Sequence, residues 1–224
     1  MQTTIYIDGL NLYHGTLKGG AYKWLDVVKL FTEICHEQNP SVQVVKIKFF
    51  TAPIKGKIAS RGEQAVQAQN AYHKALRTLY PDRFQIIEGY FTLEESGMPR
   101  YQTPVVKEDR VSVWRLEEKK TDVQIALTMY RDACKGMEQL VLVSNDSDIV
   151  PAFEAIREDC PQVHLACIIP RLKRIEGEDR PGNAELAHLS NWVRHHIREE
   201  ELQTCQLPVF IPTKKKPVYK PTYW

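Results

Sequence analysis

Three features of this sequence predict an α/β fold in three layers, a mainly parallel central sheet with helices on both faces. Short apolar runs rich in β-branched residues alternate with stretches of helical periodicity, the pattern of strands joined by crossover helices. The run at residues 140–143 is apolar throughout, as a strand covered on both faces must be. The runs at 3–7 and 140–143 each stop at a polar turn that carries aspartate, and open α/β sheets place their ligands at the carboxyl ends of strands.

Residues 3–7 read as the first strand, ending in Asp8-Gly9-Leu10-Asn11. Gly9 permits an unusual backbone angle there, and Asn11 is near enough to share the cleft with Asp8. Residues 24–35 space Trp24, Val27, Val28, Phe31, Ile34 and Cys35 as an amphipathic helix, stopped at Asn39-Pro40. Residues 42–51 form the second strand. The loop at 52–62 carries Lys55, Lys57 and Arg61, and a long helix then runs to about residue 80 with Ala65, Ala68, Tyr72, Ala75, Leu76 and Leu79 as its stripe. Residues 84–91 are a third strand. Alternating runs at 103–107 and 110–116 predict an antiparallel hairpin at the sheet edge.

Residues 119–134 have helical spacing, with Val123, Ala126, Leu127, Tyr130 and Ala133 on one face and Asp122 in the first turn. The strand at 140–143 runs into Ser144-Asn145-Asp146-Ser147-Asp148 and then a helix to about residue 158. Residues 163–169 are the fifth strand. A charged loop at 171–183 should emerge on the same edge as the acids, and residues 184–201 are helical in character. Residues 206–224 hold Pro208, Pro212, Pro217, Pro221 and a Lys214-Lys215-Lys216 run without a core pattern. They are expected to form an extended or disordered tail beyond a domain of residues 1–205.

The chain has 224 residues, 43% hydrophobic and 26% charged, an ordinary globular composition. No apolar run approaches the roughly 18 residues that suggest a membrane helix, and the first residues lack the charged-then-apolar pattern of a signal peptide. Five cysteines without a C-x-x-C pair argue against a zinc site or disulfide framework and fit a reducing, cytoplasmic setting. A net charge of +2 permits a nucleic-acid partner without requiring one. The sequence contains no phosphate-binding glycine loop of the nucleotide-hydrolase or dinucleotide type.

Asp8, Asp122, Asp146 and Asp148 stand at comparable places. If the first and fourth main strands are neighbours, Asp8 and Asp146 converge. Clustered carboxylates repel and raise one another's pKa, and a divalent cation relieves that repulsion. An all-oxygen site suits Mg²⁺ or Mn²⁺, and such sites commonly serve phosphoryl chemistry.

Three segments carry a family resemblance: IDGLNLY at residues 7–13, EKKTDVQIALTM at 118–129 and VLVSNDSDIVPAF at 141–153. Each brings an acid, and together they resemble NYN-domain proteins, the branch of PIN-like metal-dependent ribonucleases that includes the LabA-like proteins. The resemblance implies a PIN-like fold over roughly residues 3–190. It also implies metal binding by Asp8, Asp122, Asp146 and Asp148, with Asn11 and Ser144 orienting a water or the scissile phosphate. The family often has Gly where this chain has Asn145, a residue that tolerates the left-handed backbone. Gly is also common where this chain has Lys120-Thr121. The expected activity is endonucleolytic hydrolysis of RNA by water, leaving 5′-phosphate and 3′-hydroxyl ends.

Each acid also has an ordinary explanation. Asp122 complements a helix dipole, Asp146 is a helix N-cap, Asp148 fits the dipole reading, Asp8 is a turn former and Asn11 a backbone cap. Lys55, Lys57, Arg61, Lys119 and Lys120 are candidate contacts for a nucleic-acid backbone or, equally, solvated loop residues. Two rival functions stay open: a non-catalytic RNA- or protein-binding regulatory module on the same fold, and a nuclease of the same mechanism acting on DNA. A homo-oligomer is compatible with the sequence.

Overall fold

The computed structural model describes residues 1–172 and 182–224. Most of the charged loop expected at 171–183 therefore lies outside the described residues. At the centre is a six-stranded sheet in the order β3-β2-β1-β6-β7-β8. Its strands are β1 (Gln2–Asp8), β2 (Gln43–Thr51), β3 (Phe84–Glu88), β6 (Gln139–Val143), β7 (His164–Ile168) and β8 (Trp192–Arg194), and every pairing is parallel. Both faces are covered, so the period-2 alternation of each strand feeds two cores. Ile5, Ile7, Val141 and Val143 face one core with α2 (Val27–Gln38) and α3 (Glu63–Leu79). Tyr6, Leu140 and Leu142 face the other with α4 (Thr121–Cys134), α5 (Val150–Asp159) and α6 (Ala184–Leu189). This is the expected three-layer α/β architecture. The sheet reverses its order of growth between β1 and β6, and that switch point is where the acids emerge.

Several local expectations are revised. The hairpin pairs β4 (Tyr90–Pro99) with β5 (Arg110–Lys119) as a separate two-stranded sheet. Residues 103–107 lie in its connecting loop, where Pro104 offers no N–H to a ladder. The chain leaves the main sheet at Gly89, where a Cβ would sit 2.5 Å from Thr121 Oγ1 and 2.6 Å from the Lys119 carbonyl oxygen. The segment at 184–201 is not one helix. It is α6, then β8 added to the sheet, then α7 (Glu199–Thr204). Asn191 explains the break, because its Oδ1 accepts from Leu165 N at 2.8 Å and from Arg157 Nη2 at 2.7 Å and docks the chain on β7.

Helix α4 buries Ile125, Met129 and Ala133, while Val123 and Leu127 stay exposed. The buried stripe is in phase with Asp122, at i, i+3, i+7 and i+11, so the helix that packs this way also aims Asp122 at the sheet end. The expected tail folds back as well. Strands β9 (Phe210–Ile211) and β10 (Val218–Tyr219) pair antiparallel, Ile211 and Val218 are buried in the α2–α3 core, and Trp224 packs on it. Its apolar anchors are isolated between prolines, so they leave no periodic trace.

Candidate metal and phosphoryl-transfer site

At the end of β1, Asp8 is 4% exposed. Its Oδ1 accepts from Asn11 N at 2.9 Å, capping the short helix α1 (Gly9–Leu12). Its Oδ2 accepts from Ser144 Oγ at 3.0 Å. Gly9 follows at an ordinary negative φ, contrary to the expected unusual angle. Glycine is required there by close approach instead: a Cβ would lie 2.7 Å from the Phe50 carbonyl oxygen and 2.8 Å from Phe49 Cζ.

The register Ile7↔Val143 sets Asp8 beside Ser144, which is fully buried. The turn after β6 is tied to the turn after β1, since Asn145 N donates to Asn11 Oδ1 at 3.2 Å. Asn145 Oδ1 in turn accepts from Asn183 N at 2.7 Å. Asn145 does not take the left-handed angle its family counterpart suggests; among the described non-glycine residues only Lys120 does, at φ 77°. Lys120 thus occupies the backbone position that a glycine would fill at the mouth of α4, with its Nζ 5.1 Å from the centre of the Tyr90 ring. Asp146 caps the following turn, accepting from Asp148 N at 3.0 Å.

Asp8, Asp122 and Asp146 each present a carboxylate oxygen such that all three lie within 4.8 Å of one another. The ordinary roles of Asp8 and Asp146 as caps are real, and they hold the carboxylates in place. Asp148 is exposed and outside this trio among the described residues. Burial pushes the Asp8 carboxyl up to about 6, against the hydrogen bonds from Asn11 and Ser144 and with the charges of Asp122 and Glu118 adding to it. Asp122 is raised by burial and by the charges of Asp146 and Asp148. Glu118 is also raised, by burial and by Asp122, while Thr121 Oγ1 donates to it at 2.7 Å. Sequence reasoning did not single out Glu118; its position four residues before Asp122, at the end of β5, was the available signal.

The basic candidates are distributed differently. Lys119 pairs with Glu117. Lys55 and Lys57 are exposed on the loop that leaves β2 at the same sheet edge as Asp8. Arg61 lies over the Tyr223 ring, its Cζ 4.4 Å from the ring centre.

The sheet order, the acids that follow β1 and β6 and the α4 acid define a nuclease-like α/β domain. The NYN domain model matches residues 2–174, and the chain belongs to that family. It is 36% identical to 6-hydroxy-3-succinoylpyridine 3-monooxygenase HspA of Pseudomonas putida, over 100% of this chain and 75% of that protein. A crystal structure of a protein of unknown function from Vibrio parahaemolyticus shares the fold, with a TM-score of 0.51 and 17% identity, covering 89% of this chain and 94% of that one. Among the described residues no helix is long and apolar enough to cross a membrane.

Proposed function

We propose that this chain is a metal-dependent ribonuclease that hydrolyses RNA phosphodiester bonds internally, leaving 5′-phosphate and 3′-hydroxyl ends. The observation that carries this reading is the convergence of Asp8, Asp122 and Asp146, from three separate segments, within 4.8 Å at the switch point of the sheet. The donor set fits a hard divalent cation. All three groups offer carboxylate oxygens. Burial first, and the neighbouring negative charges after it, raise the pKa values of Asp8 and Asp122, and Mg²⁺ or Mn²⁺ would relieve both costs. Bound there, the ion supplies positive charge for the phosphate and makes water a better nucleophile.

The protein's own contribution is placement. Ser144 and Asn11 fix the Asp8 carboxylate and join the two turns, and Asp148 adds negative charge at the rim. Lys120, Lys119, Lys55 and Lys57 surround the same edge as contacts for the RNA backbone. Arg61 joins them only by releasing Tyr223. Five free thiols suit a reducing cytoplasm. The test is cleavage of labelled RNA and matched DNA oligonucleotides with Mn²⁺. RNA cleavage should vanish in excess chelator and in Asp146→Asn, with the fold intact by circular dichroism; full activity in either condition sinks the mechanism. Equal cleavage of DNA would widen the substrate class.

One observation favours a second reading. The relative that spans this whole chain is named as a monooxygenase of a substituted pyridine. Incubation with 6-hydroxy-3-succinoylpyridine, oxygen and a nicotinamide or flavin reductant, followed by mass spectrometry, decides it: a hydroxylated product supports oxygenation, and unchanged substrate rejects it.

A further inference from the structure

Next to the acids, and containing none of them, is a cavity of about 410 Å³. Gly9, the residue after Asp8, forms part of its wall. The remaining wall is assembled from distant segments: Tyr13 after β1, Phe49 of β2, His73 of α3, Phe91 of β4 and Trp224 at the folded-back end of the chain. Ligand pockets run from about 300 to 1,000 Å³, so this one suits a single ring system with a small substituent. Aromatic walls favour a planar π-face.

His73 is one polar group of this wall, beside the aromatic rings. It is 7% exposed and touches the Phe49 and Tyr72 rings, with centroids 6.1 and 6.2 Å away. No hydrogen bond is made to its imidazole nitrogens among the described residues. Burial, with Arg77 nearby, holds its pKa down to about 4. The ring is therefore neutral near pH 7 and offers one N–H donor and one acceptor. Neither imidazole nitrogen is fully enclosed, so a ligand heteroatom in the cavity can replace water as its hydrogen-bond partner. Lys23 and Lys55 also line the cavity, and neither has a carboxylate partner among the described residues.

We propose that this cavity binds a planar aromatic heterocycle bearing an anionic group, with the ring among Phe49, Phe91 and Trp224, a ring heteroatom bonded to His73, and the anion drawn by Lys23 and Lys55. The same chemistry has two sources. One is a nucleotide, whose base would enter the cavity while its phosphate meets Lys23 and Lys55. The other is a free heterocyclic carboxylate. The proposal does not depend on the nuclease reading, because no acid of the cluster contributes to the cavity.

The experiment is a binding titration by saturation-transfer NMR and tryptophan fluorescence, with chelator present, on the full chain and on Asp146→Asn. The probes are uridine 5′-monophosphate, pyridine-3-carboxylate and benzoate. Saturable binding of the nucleotide or of the pyridine, unaffected by Asp146→Asn, is expected. Ala65→Phe, which fills the cavity from α3, should weaken it at least about tenfold. His73→Phe should erase the preference for pyridine-3-carboxylate over benzoate, a loss of about tenfold for one hydrogen bond. Binding of the nucleotide points to an RNA subsite, and binding of the pyridine alone points to a small-molecule site. The proposal is overturned if neither probe saturates the wild-type protein, or if folded Ala65→Phe and His73→Phe bind as the wild type does.

Discussion

The Ser144 hydroxyl joins two of the three clustered acids. Its Oγ donates to Asp8 Oδ2 at 3.0 Å and accepts from Asp146 N at 3.2 Å. The bond to Asp8 also lowers the pKa of that carboxyl against the effect of burial. Ser144→Ala keeps the shape and leaves both groups short of a partner in a fully buried spot. Mn²⁺ affinity should fall about 10–100-fold, the usual effect of losing a group that orients a metal ligand. The fold should lose about 1–2 kcal/mol. Calorimetric titration of Mn²⁺ measures the first and urea unfolding the second; unchanged affinity would dismiss Ser144 as a positioning residue.

Asp146 and Asp148 should separate sharply. Asp146 belongs to the trio within 4.8 Å, whereas Asp148 is exposed and acts on Asp122 only by its charge. Asp146→Asn should abolish RNA cleavage, and Asp148→Asn should reduce it by less than about tenfold. Rates of the two variants at saturating Mn²⁺ make the comparison. Equal losses would place Asp148 among the direct ligands.

Two buried groups pull stability in opposite directions over the same pH window. The folded-state pKa of Asp8 is raised, from 3.8 to about 6. Its contribution is complete below pH 3.8 and is lost as the pH rises through about 6. The folded-state pKa of His73 is depressed, from 6.5 to about 4. Its contribution is complete above pH 6.5 and is lost as the pH falls through about 4. Each is of order 3 kcal/mol at most, so the metal-free wild type should show little net slope from these two sites. Asp8→Asn should expose the His73 slope, with stability rising from pH 4 to 6.5, and His73→Phe should expose the reverse. Urea midpoints across this range in chelator test the pair, and parallel profiles for both variants would contradict it.

The sheet and the acids were legible because two physical demands write directly into sequence. A strand buried on both faces must be continuously apolar, as Leu140, Val141, Leu142 and Val143 are. A polar turn must follow where the chain leaves the sheet, which put Asp8 and Asp146 in plain view. The α4 face was misread because Val123 and Leu127 are apolar yet exposed, and only the neighbouring strands determine that Ile125 and Met129 point inward. Strand β8 was missed because its three residues sit among charges and are held by an Asn191 contact across the fold. The cavity was invisible for a deeper reason. Tyr13, Phe49, His73, Phe91 and Trp224 meet only in space, and none of them breaks its local pattern.

Trp224 packs its ring 6.1 Å from that of Trp24 and 5.8 Å from that of Tyr72. The same segment is pinned by Trp24 Nε1 donating to the Pro208 carbonyl at 2.9 Å and by Tyr223 Oη donating to the Gln64 carbonyl at 2.8 Å. Removing the ring uncovers Trp24, which is fully buried, and opens one wall of the cavity. Trp224→Ala should therefore destabilise the protein by about 2 kcal/mol from lost apolar burial and also free Arg61 from Tyr223 by loosening the terminal turn. Urea unfolding followed by circular dichroism reads the first effect, and RNA affinity at low salt reads the second. A variant with the wild-type urea midpoint would mean that the segment rests on the surface without contributing to the core, and an unchanged RNA affinity would mean that Arg61 is not restrained by Tyr223.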